Sequence, residues 1–377
     1  ATNAAITVNN SDGTCTANLS NRQGKNLILN GAFQIAQRGV SSTINNYGTV
    51  DRFESSFLGT DESPTQEQVT NSSSDTPYTI GLTRAFKITN GNQTSGAGAA
   101  DYIRIRHRIE AQNIRNSGWN YKSPSSFITI SFWVKSSVAQ TFYLQLRTYD
   151  GTAQNYAHPF SATTSWTKIT HTIPGNSNLD FNDDVGIGLE LQWAMFYGTD
   201  YTDNSRADNT WSAFASATQT KDHTSTWYTT NDATFEITGV QLEVSDHATS
   251  FEHKSFDQVY HECLRYTYVI NVHDTDTVDR SYGYAYSTSY VHGMFYLPRA
   301  MRIYPSYTAT ETDVNFYASN NSAFFHLDDI AGYVGSLLSP FPNTFHWRVT
   351  TTSITAGDAG ILLGREAGGK ITFDAEL

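Results

Sequence analysis

Three arginines, Arg104, Arg106 and Arg108, occupy alternate positions in the run Tyr102 to Ile109, opposite Ile103, Ile105 and Ile109. Alternate residues of a strand share one face, roughly 7 Å apart. Three like charges on such a face must be solvated or matched. They either pair with acidic residues on neighbouring strands, or meet an acidic glycan or a neighbouring subunit through the planar guanidinium fork. A second concentration of chemistry lies in the stretch Tyr197 to Asn231, which carries Tyr197, Tyr201, Trp211, Phe214, Trp227 and Tyr228. Connections of about 35 residues are uncommon and usually functional or disordered, and the aromatic content argues against disorder. An exposed ring stacks on the C–H face of a sugar, and nearby Asp203, Arg206, Asp208 and Asp222 offer partners for hydroxyls. Tyr197, Tyr201, Asp203, Arg206, Trp211, Trp227 and Tyr228 are therefore the candidate glycan contacts. The alternative is that these rings bury the loop onto its own domain or pack between subunits. Tyr282, Tyr284, Tyr286, Tyr290 and Tyr296 pose the same choice. Tyrosine supplies amphipathic contact area at low entropic cost, but a half-exposed strand face would also place it there.

Two acidic groups, Asp180 with Asp183 and Asp184, and Asp274 with Asp276 and Asp279, precede apolar runs. Oxygen-rich loops can hold Ca²⁺. Neither group has the spacing of a defined calcium loop, and solvated turns account for both. No other cofactor is expected. Catalytic patterns fail at single positions. His261-Glu262 opens like a zinc-protease helix, but Arg265 stands where the second histidine must be. Gly96 and Gly98 open like a dinucleotide loop, but Asp101 takes the third glycine position, and no βαβ unit surrounds it. A glycosidase pair is defined by its separation, which sequence does not carry. The expectation is a binding protein and not an enzyme.

The elements that must position these residues are strands. Charged residues make up 16 % of the 377, below the typical ~25 %, while aromatics reach 13 %. The 24 basic and 36 acidic residues leave a net charge of −12, the opposite of a nucleic-acid footprint. Ile128, Ile130, Phe132 and Val134 share one parity, as do Phe142, Leu144 and Leu146, and Leu189, Leu191 and Trp193. This period of two, broken by Gly, Asn, Asp and Pro loops, describes a two-sheet antiparallel sandwich. In Thr234 to Val244 the parity changes at Gly239, which reads as a β-bulge. Ser255 and Gln258 form a capping-box pattern ahead of Val259, Tyr260 and Cys263, so one short helix is expected there as a hinge. Period two then resumes to the end of the chain. Cys15 and Cys263 are too few for a disulfide framework and read as free thiols of a reducing compartment. The first ten residues have no secretion-signal pattern, and no window is apolar enough to span a membrane.

Several segments together resemble a known family. They are the opening Asn26 to Gly39 (NLILNGAFQIAQRG), Val50-Asp51-Arg52-Phe53, Ile130 to Lys135 (ISFWVK), Phe235 to Val244 (FEITGVQLEV) with Ala248 to His253, and the ending Gly368 to Leu377 (GGKITFDAEL). This series is similar to bacteriophage virion proteins of marine bacteria and cyanobacteria, described as tail fibre or receptor-binding proteins with a carbohydrate-binding jelly-roll module. The resemblance covers most of the chain from about residue 26. It implies an N-terminal attachment arm over 1–25, a jelly-roll domain over 26–254, a linker helix over 255–265 and a smaller β-sandwich over 266–377. It further implies assembly as a homotrimer on the tail or capsid surface of a virion, after synthesis in the host cytoplasm. The arm would meet other virion proteins, and the target would be host cell-surface polysaccharide or lipopolysaccharide. Carbohydrate-binding jelly rolls often carry a structural Ca²⁺, for which Asp180, Asp183 and Asp184 are the weak candidates. Trp211 matches a position the family also carries, which suits a scaffold role as well as a contact. The alternative within the same resemblance is a decoration or connector protein with a purely structural role.

Overall fold

In the computed structural model, the residues described are 6–8, 15–17, 24–272, 281–309, 313–318, 321–326, 331–332, 343–351, 354–364 and 369–377. Asp274, Asp276, Asp279 and most of the N-terminal arm lie outside them. The chain divides into two compact units, one of residues 1–34, 40–48 and 53–255, the other of residues 35–39, 49–52 and 256–377. Among the described residues no helix is long and apolar enough to cross a membrane.

The first unit opens with β1 (Ile6–Val8) paired antiparallel to β2 (Cys15–Ala17). Its body is two six-stranded antiparallel sheets. One holds β4 (Phe53–Leu58), β7 (Tyr102–Glu110), β9 (Gln140–Thr148), β10 (Gln154–Ala162), β12 (Ile187–Tyr197) and β13 (Ser212–Ala213), in the order β13-β10-β9-β12-β7-β4. The other holds β3 (Ser41–Ser42), β5 (Thr65–Thr70), β6 (Arg84–Thr89), β8 (Phe127–Ser136), β11 (Thr167–Pro174) and β14 (Thr234–Glu243), in the order β11-β8-β14-β6-β5-β3. The alternation read in the sequence is the inward face of these sheets. Ile103, Ile105, Ile130, Phe132, Leu144, Leu191, Trp193, Phe235 and Ile237 are fully buried. Phe132 meets Trp193 edge-on at 5.8 Å. Each such side chain contributes about 1.5–3 kcal/mol by leaving water. The expected bulge is present: the β14–β8 register shifts between Thr238 and Gln241, and Gly239 has φ +63°. A Cβ on Gly239 would lie 2.5 Å from Leu82 Cδ1, so both backbone and space require glycine.

The second unit begins with the expected helix, Phe256–Cys263, which buries Val259 and Cys263 against Ile35. A three-stranded sheet follows, built from β15 (Thr267–Val272), β18 (Ser306–Ala309) and β24 (Gly369–Asp374) in the order β15-β24-β18. The larger sheet contains β16 (Ser281–Ser287), β17 (Tyr290–Tyr296), β19 (Asp313–Ala318), β20 (Asn321–His326), β21 (Ala331–Gly332), β22 (Thr344–Thr350) and β23 (Ala359–Gly364). Its order is β20-β19-β23-β16-β17-β22-β21. Phe295, Phe345, Trp347, Ile371 and Phe373 form the core between the two sheets. Fold class is therefore as expected: an all-β chain with an antiparallel jelly-roll-type sandwich, a short helix and a smaller β-sandwich.

Strand periodicity gives no hint that residues 35–39 and 49–52 belong to the second unit. There Arg38 Nη2 meets Asp374 Oδ2 at 2.7 Å, and Arg52 pairs with Glu376. The Arg52 guanidinium also lies 3.6 Å from the centre of the Tyr266 ring. Gln37 donates to Asp51 Oδ2 at 2.6 Å and to the Thr267 carbonyl at 2.9 Å. The opening segments of the family resemblance thus bind its ending, more than 300 residues away along the chain.

Candidate functional site

The register of the first sheet lays mostly polar residues in rows across the face turned away from the core; Gln145, Glu190 and Gln192 there are buried, and the arginines are half-buried. Ser56, Arg104, Ala194 and Tyr143 form one; Glu54, Arg106, Gln192 and Gln145 the next; Arg108, Glu190 and Arg147 the third. Strand alternation is the cause: the isoleucines of β7 take the core side, so its arginines must face outward.

Ion pairs and hydrogen bonds tie the rows together. Arg106 pairs with Glu54, and Arg108 Nη1 lies 3.1 Å from Glu54 Oε2. Arg108 Nε donates to Glu190 Oε2 at 2.6 Å. Glu190 Oε1 accepts from Tyr149 Oη at 3.0 Å and from Gln192 Nε2 at 2.7 Å. Burial alone would raise the Glu190 carboxyl, but the Arg108 and Arg106 charges outweigh it and hold the group below its ordinary range. Burial followed by the Glu190 charge pushes the Tyr149 hydroxyl up to about 12. For Arg106 and Arg108 neighbouring strands thus supply acidic partners, the first of the two alternatives the sequence left open.

Arg104 differs. It donates to Gln192 Oε1 at 2.9 Å and to Tyr197 Oη at 3.2 Å, and its guanidinium stands 4.4 Å from the centre of the Tyr102 ring. Arg147 lies 3.6 Å from the Phe214 ring centre and 4.5 Å from that of Tyr149. Among the described residues, neither Arg104 nor Arg147 has a carboxylate within ion-pairing distance. The Nε atoms of both are buried without a hydrogen-bond partner. The three rows therefore hold four arginines and two carboxylates, in a chain whose net charge is −12. Glu54, Glu190, Gln192 and Arg147 were not singled out from sequence. Their signal was parity, since each occupies the polar position of an alternating strand.

The loop candidates separate into three groups. Tyr197 and Tyr201 join the arginine face. The Tyr201 ring meets Tyr102 edge-on at 5.5 Å and lies 5.8 Å from Tyr197, itself buried beneath Arg104. Asp203 and Arg206 line a separate cavity of about 260 Å³ with Ser205, Thr210, Ser212 and Thr218. Arg206 donates there to Ser212 Oγ at 2.8 Å and to the Asn155 carbonyl at 3.0 Å. As glycan contacts Trp211, Trp227 and Tyr228 are corrections, and so is Tyr197: all four are buried. Trp211 Nε1 donates to the Pro174 carbonyl at 2.8 Å and Trp227 Nε1 to the Thr234 carbonyl at 3.0 Å. Tyr228 Oη donates to Asp101 Oδ2 at 3.0 Å, with its ring 4.5 Å from Phe196. These indole and phenol groups find partners inside, so burial leaves nothing unsatisfied.

The calcium candidates do not converge either. Asp180 lies 3.4 Å from Lys122 Nζ, Asp183 accepts from Asn116 at 3.0 Å, and Asp184 accepts from the Gly186 amide at 2.9 Å. Each carboxylate serves a different turn. Among the described residues no cluster of three acidic, histidine or cysteine side chains could hold a metal ion.

No family model matches the chain, and no curated protein matches it. Solved structures do. The enzymatically active domain of bacteriophage CBA120 tailspike protein 4 is 11 % identical over 58 % of this chain, with a TM-score of 0.32. That match spans 21 % of the tailspike chain. The family 11 carbohydrate-binding module of a Clostridium thermocellum cellulosomal cellulase is 11 % identical, covering 57 % of this chain and 98 % of its own, with a TM-score of 0.28. The N-terminal cellulose-binding domain of Cellulomonas fimi β-1,4-glucanase C is also 11 % identical, covering 56 % and 98 %, with a TM-score of 0.27.

Proposed function

We propose that this chain is a non-catalytic glycan-binding protein of a phage particle, in which the outward face of the six-stranded sheet containing β7, β9 and β12 takes an anionic host-surface polysaccharide or lipopolysaccharide. The observation that carries the reading is the excess of arginine on that face against the acidity of the rest of the chain. Among the described residues, Arg104 and Arg147 have no carboxylate within ion-pairing distance, although the Glu190 charge acts on Arg104, and Tyr102, Tyr149 and Tyr201 border them. A guanidinium fork suits carboxylate or phosphate groups on sugars, and the ring borders suit the sugar body. The virion setting rests on the sequence segments quoted above. Many copies on one particle would turn a weak single site into firm adsorption.

The test is binding of the purified chain to acidic and neutral polysaccharides at increasing salt. Retention on the acidic polymer should fall as salt screens the face. Arg147→Ala and Arg104→Lys should each weaken it by about tenfold while the chain still shows a cooperative melting transition. Equal retention of both variants would overturn the proposal. The buried state of Trp227 and Tyr228 favours a second reading, a decoration or connector protein. Absence of binding to any host-surface component, with the protein still required for particle assembly, would select it.

A further inference from the structure

The large sheet of the second unit has an outward face that its own core does not use. Along β16, Ser281 and Ala285 are buried, while the tyrosines between and beyond them point the other way. Tyr282, Tyr284 and Tyr286 are 62 %, 50 % and 67 % exposed, and Tyr290 and Tyr296 on β17 are 37 % and 67 % exposed. Register makes these one surface: Tyr282 lies opposite Met294, Tyr284 opposite His292, and Ser287 opposite Tyr290. Beneath it the packing is tight. A Cβ on Gly293 would come 2.3 Å from Trp347 Cζ2, so the indole fills the space under the hairpin and the rings have only the solvent side.

We propose that this tyrosine face is a second carbohydrate-contact surface, one that takes a neutral polysaccharide chain by ring stacking. It is independent of the arginine face and of the reading built on it. Several observations support a neutral sugar as the occupant. None of the outward positions of β16, β17 and β22 is acidic, and their one permanent charge, Arg348, lies 5.0 Å from the centre of the Tyr290 ring. Burial, with the Arg348 and His346 charges, keeps the His292 ring below its ordinary value, so it is uncharged near neutral pH. The face is therefore polar and aromatic but offers little to an ionic ligand. Tyrosine rings combine an apolar face with a hydroxyl edge, which matches the alternation of C–H and hydroxyl groups on a pyranose.

The five rings alone fall short of what a second copy of the chain would need. Covering the exposed parts of all five rings would remove about 600 Å² from water, taking ~200 Å² for a tyrosine. A stable interface needs about 800 Å² from each partner. A polysaccharide has no such requirement, because repeated weak contacts along a polymer add by effective concentration. Rings carried on paired strands are also held in place before the ligand arrives, which reduces the entropy lost on binding.

The test uses the full chain on an array holding neutral and acidic glycans, with sedimentation velocity in parallel. The double variant Tyr284→Ala/Tyr286→Ala should lose about tenfold or more of its binding to neutral glycans. Its binding to acidic glycans should stay unchanged. Tyr284→Phe/Tyr286→Phe keeps the ring faces and should retain most of the neutral binding. Arg147→Ala should show the converse pattern, so that failure of one site is distinguishable from failure of the other. No binding of the unaltered chain to any neutral glycan overturns the proposal, as does equal binding by the alanine variant. Conversion of the alanine variant to a smaller sedimenting species, with glycan binding intact, overturns it in favour of a contact between copies.

Discussion

The loop between β12 and β14 and the hairpin β16–β17 are both rich in aromatic rings and put them to opposite uses. In the loop, Trp227 and Tyr228 sit on a single helical turn, Thr226–Thr229, and are fully buried. Gln140 Oε1 accepts the Trp227 amide at 2.9 Å, and Asn90 Nδ2 donates to the Tyr228 carbonyl at 2.6 Å. The loop is held by polar residues of distant strands, and its rings serve as the hydrophobic plug. In the hairpin, regular pairing already satisfies the backbone and alternation sends every second residue outward. A polar loop therefore need not expose its aromatics, and a strand can expose them in a row. Backbone hydrogen-bond demand decides: an irregular segment must bring its own packing, whereas a strand receives its order from its neighbours.

The largest effect should separate the two regions directly. Trp227→Ala is expected to cost about 3–5 kcal/mol, as for a buried tryptophan truncated to a cavity. Chemical denaturation measures it, and a loss below about 1 kcal/mol would break the comparison. The same contrast exists among arginines. Arg52 is buried with Glu376 in the second unit, whereas Arg104 is half-buried in the first and held by hydrogen bonds to Gln192 and Tyr197. Glu376→Gln should therefore cost about 3–5 kcal/mol, because a buried guanidinium loses its carboxylate partner. Arg104→Lys, measured alongside, should cost far less.

Acid should move the two units in opposite directions. His171 stacks on His158 at 3.6 Å and hydrogen-bonds Tyr156 Oη at 2.8 Å. Burial, then the His158 charge, pushes it down to about 4. The unfolded chain takes up this proton near pH 6.5. Its contribution to stability is therefore full above pH 6.5 and is lost as pH falls toward 4. In the second unit, burial pushes the Asp51 carboxyl up to about 6 despite Arg38 and Gln37. The folded state then holds the proton more tightly than the unfolded one. Its contribution is full below about pH 4 and is lost as pH rises through 6. Two pKa units correspond to about 3 kcal/mol at the limit, less for His171, which keeps some solvent contact. Calorimetry between pH 4 and 6.5 should show His171→Gln and Asp51→Asn changing the slope of stability with opposite signs. Slopes changing together would refute the assignment.

Smaller effects sharpen the contrast further. Tyr228→Phe keeps the ring on Phe196 and removes the hydroxyl that Asp101 and, more weakly, the Gly59 carbonyl accept from, so a loss of about 1 kcal/mol is expected. Tyr286→Ala should stay within about 0.5 kcal/mol of the parent, as a surface substitution. A larger loss there would mean that the tyrosine face is packed in solution.

Much of the architecture was legible in the sequence by itself. Alternation named the inward residues of β7, β8, β9 and β12, the parity change marked the bulge at Gly239, and the capping pattern located the helix at Phe256–Cys263. These are local properties, because side chains three or fewer positions apart already reveal which face is apolar. The arginine row was legible for the same reason. Its partners were not, since Glu54 and Glu190 reach it only through sheet register. Nor was the fate of Trp211, Trp227 and Tyr228, because a loop has no period from which to read an inside and an outside. The binding of Arg38 and Arg52 to the chain's last residues was equally invisible, being a contact between segments that no local pattern links. Tertiary structure decided these matters because burial, ion pairing and ring exposure depend on what lies opposite in space. Sequence spacing specifies that only within an element.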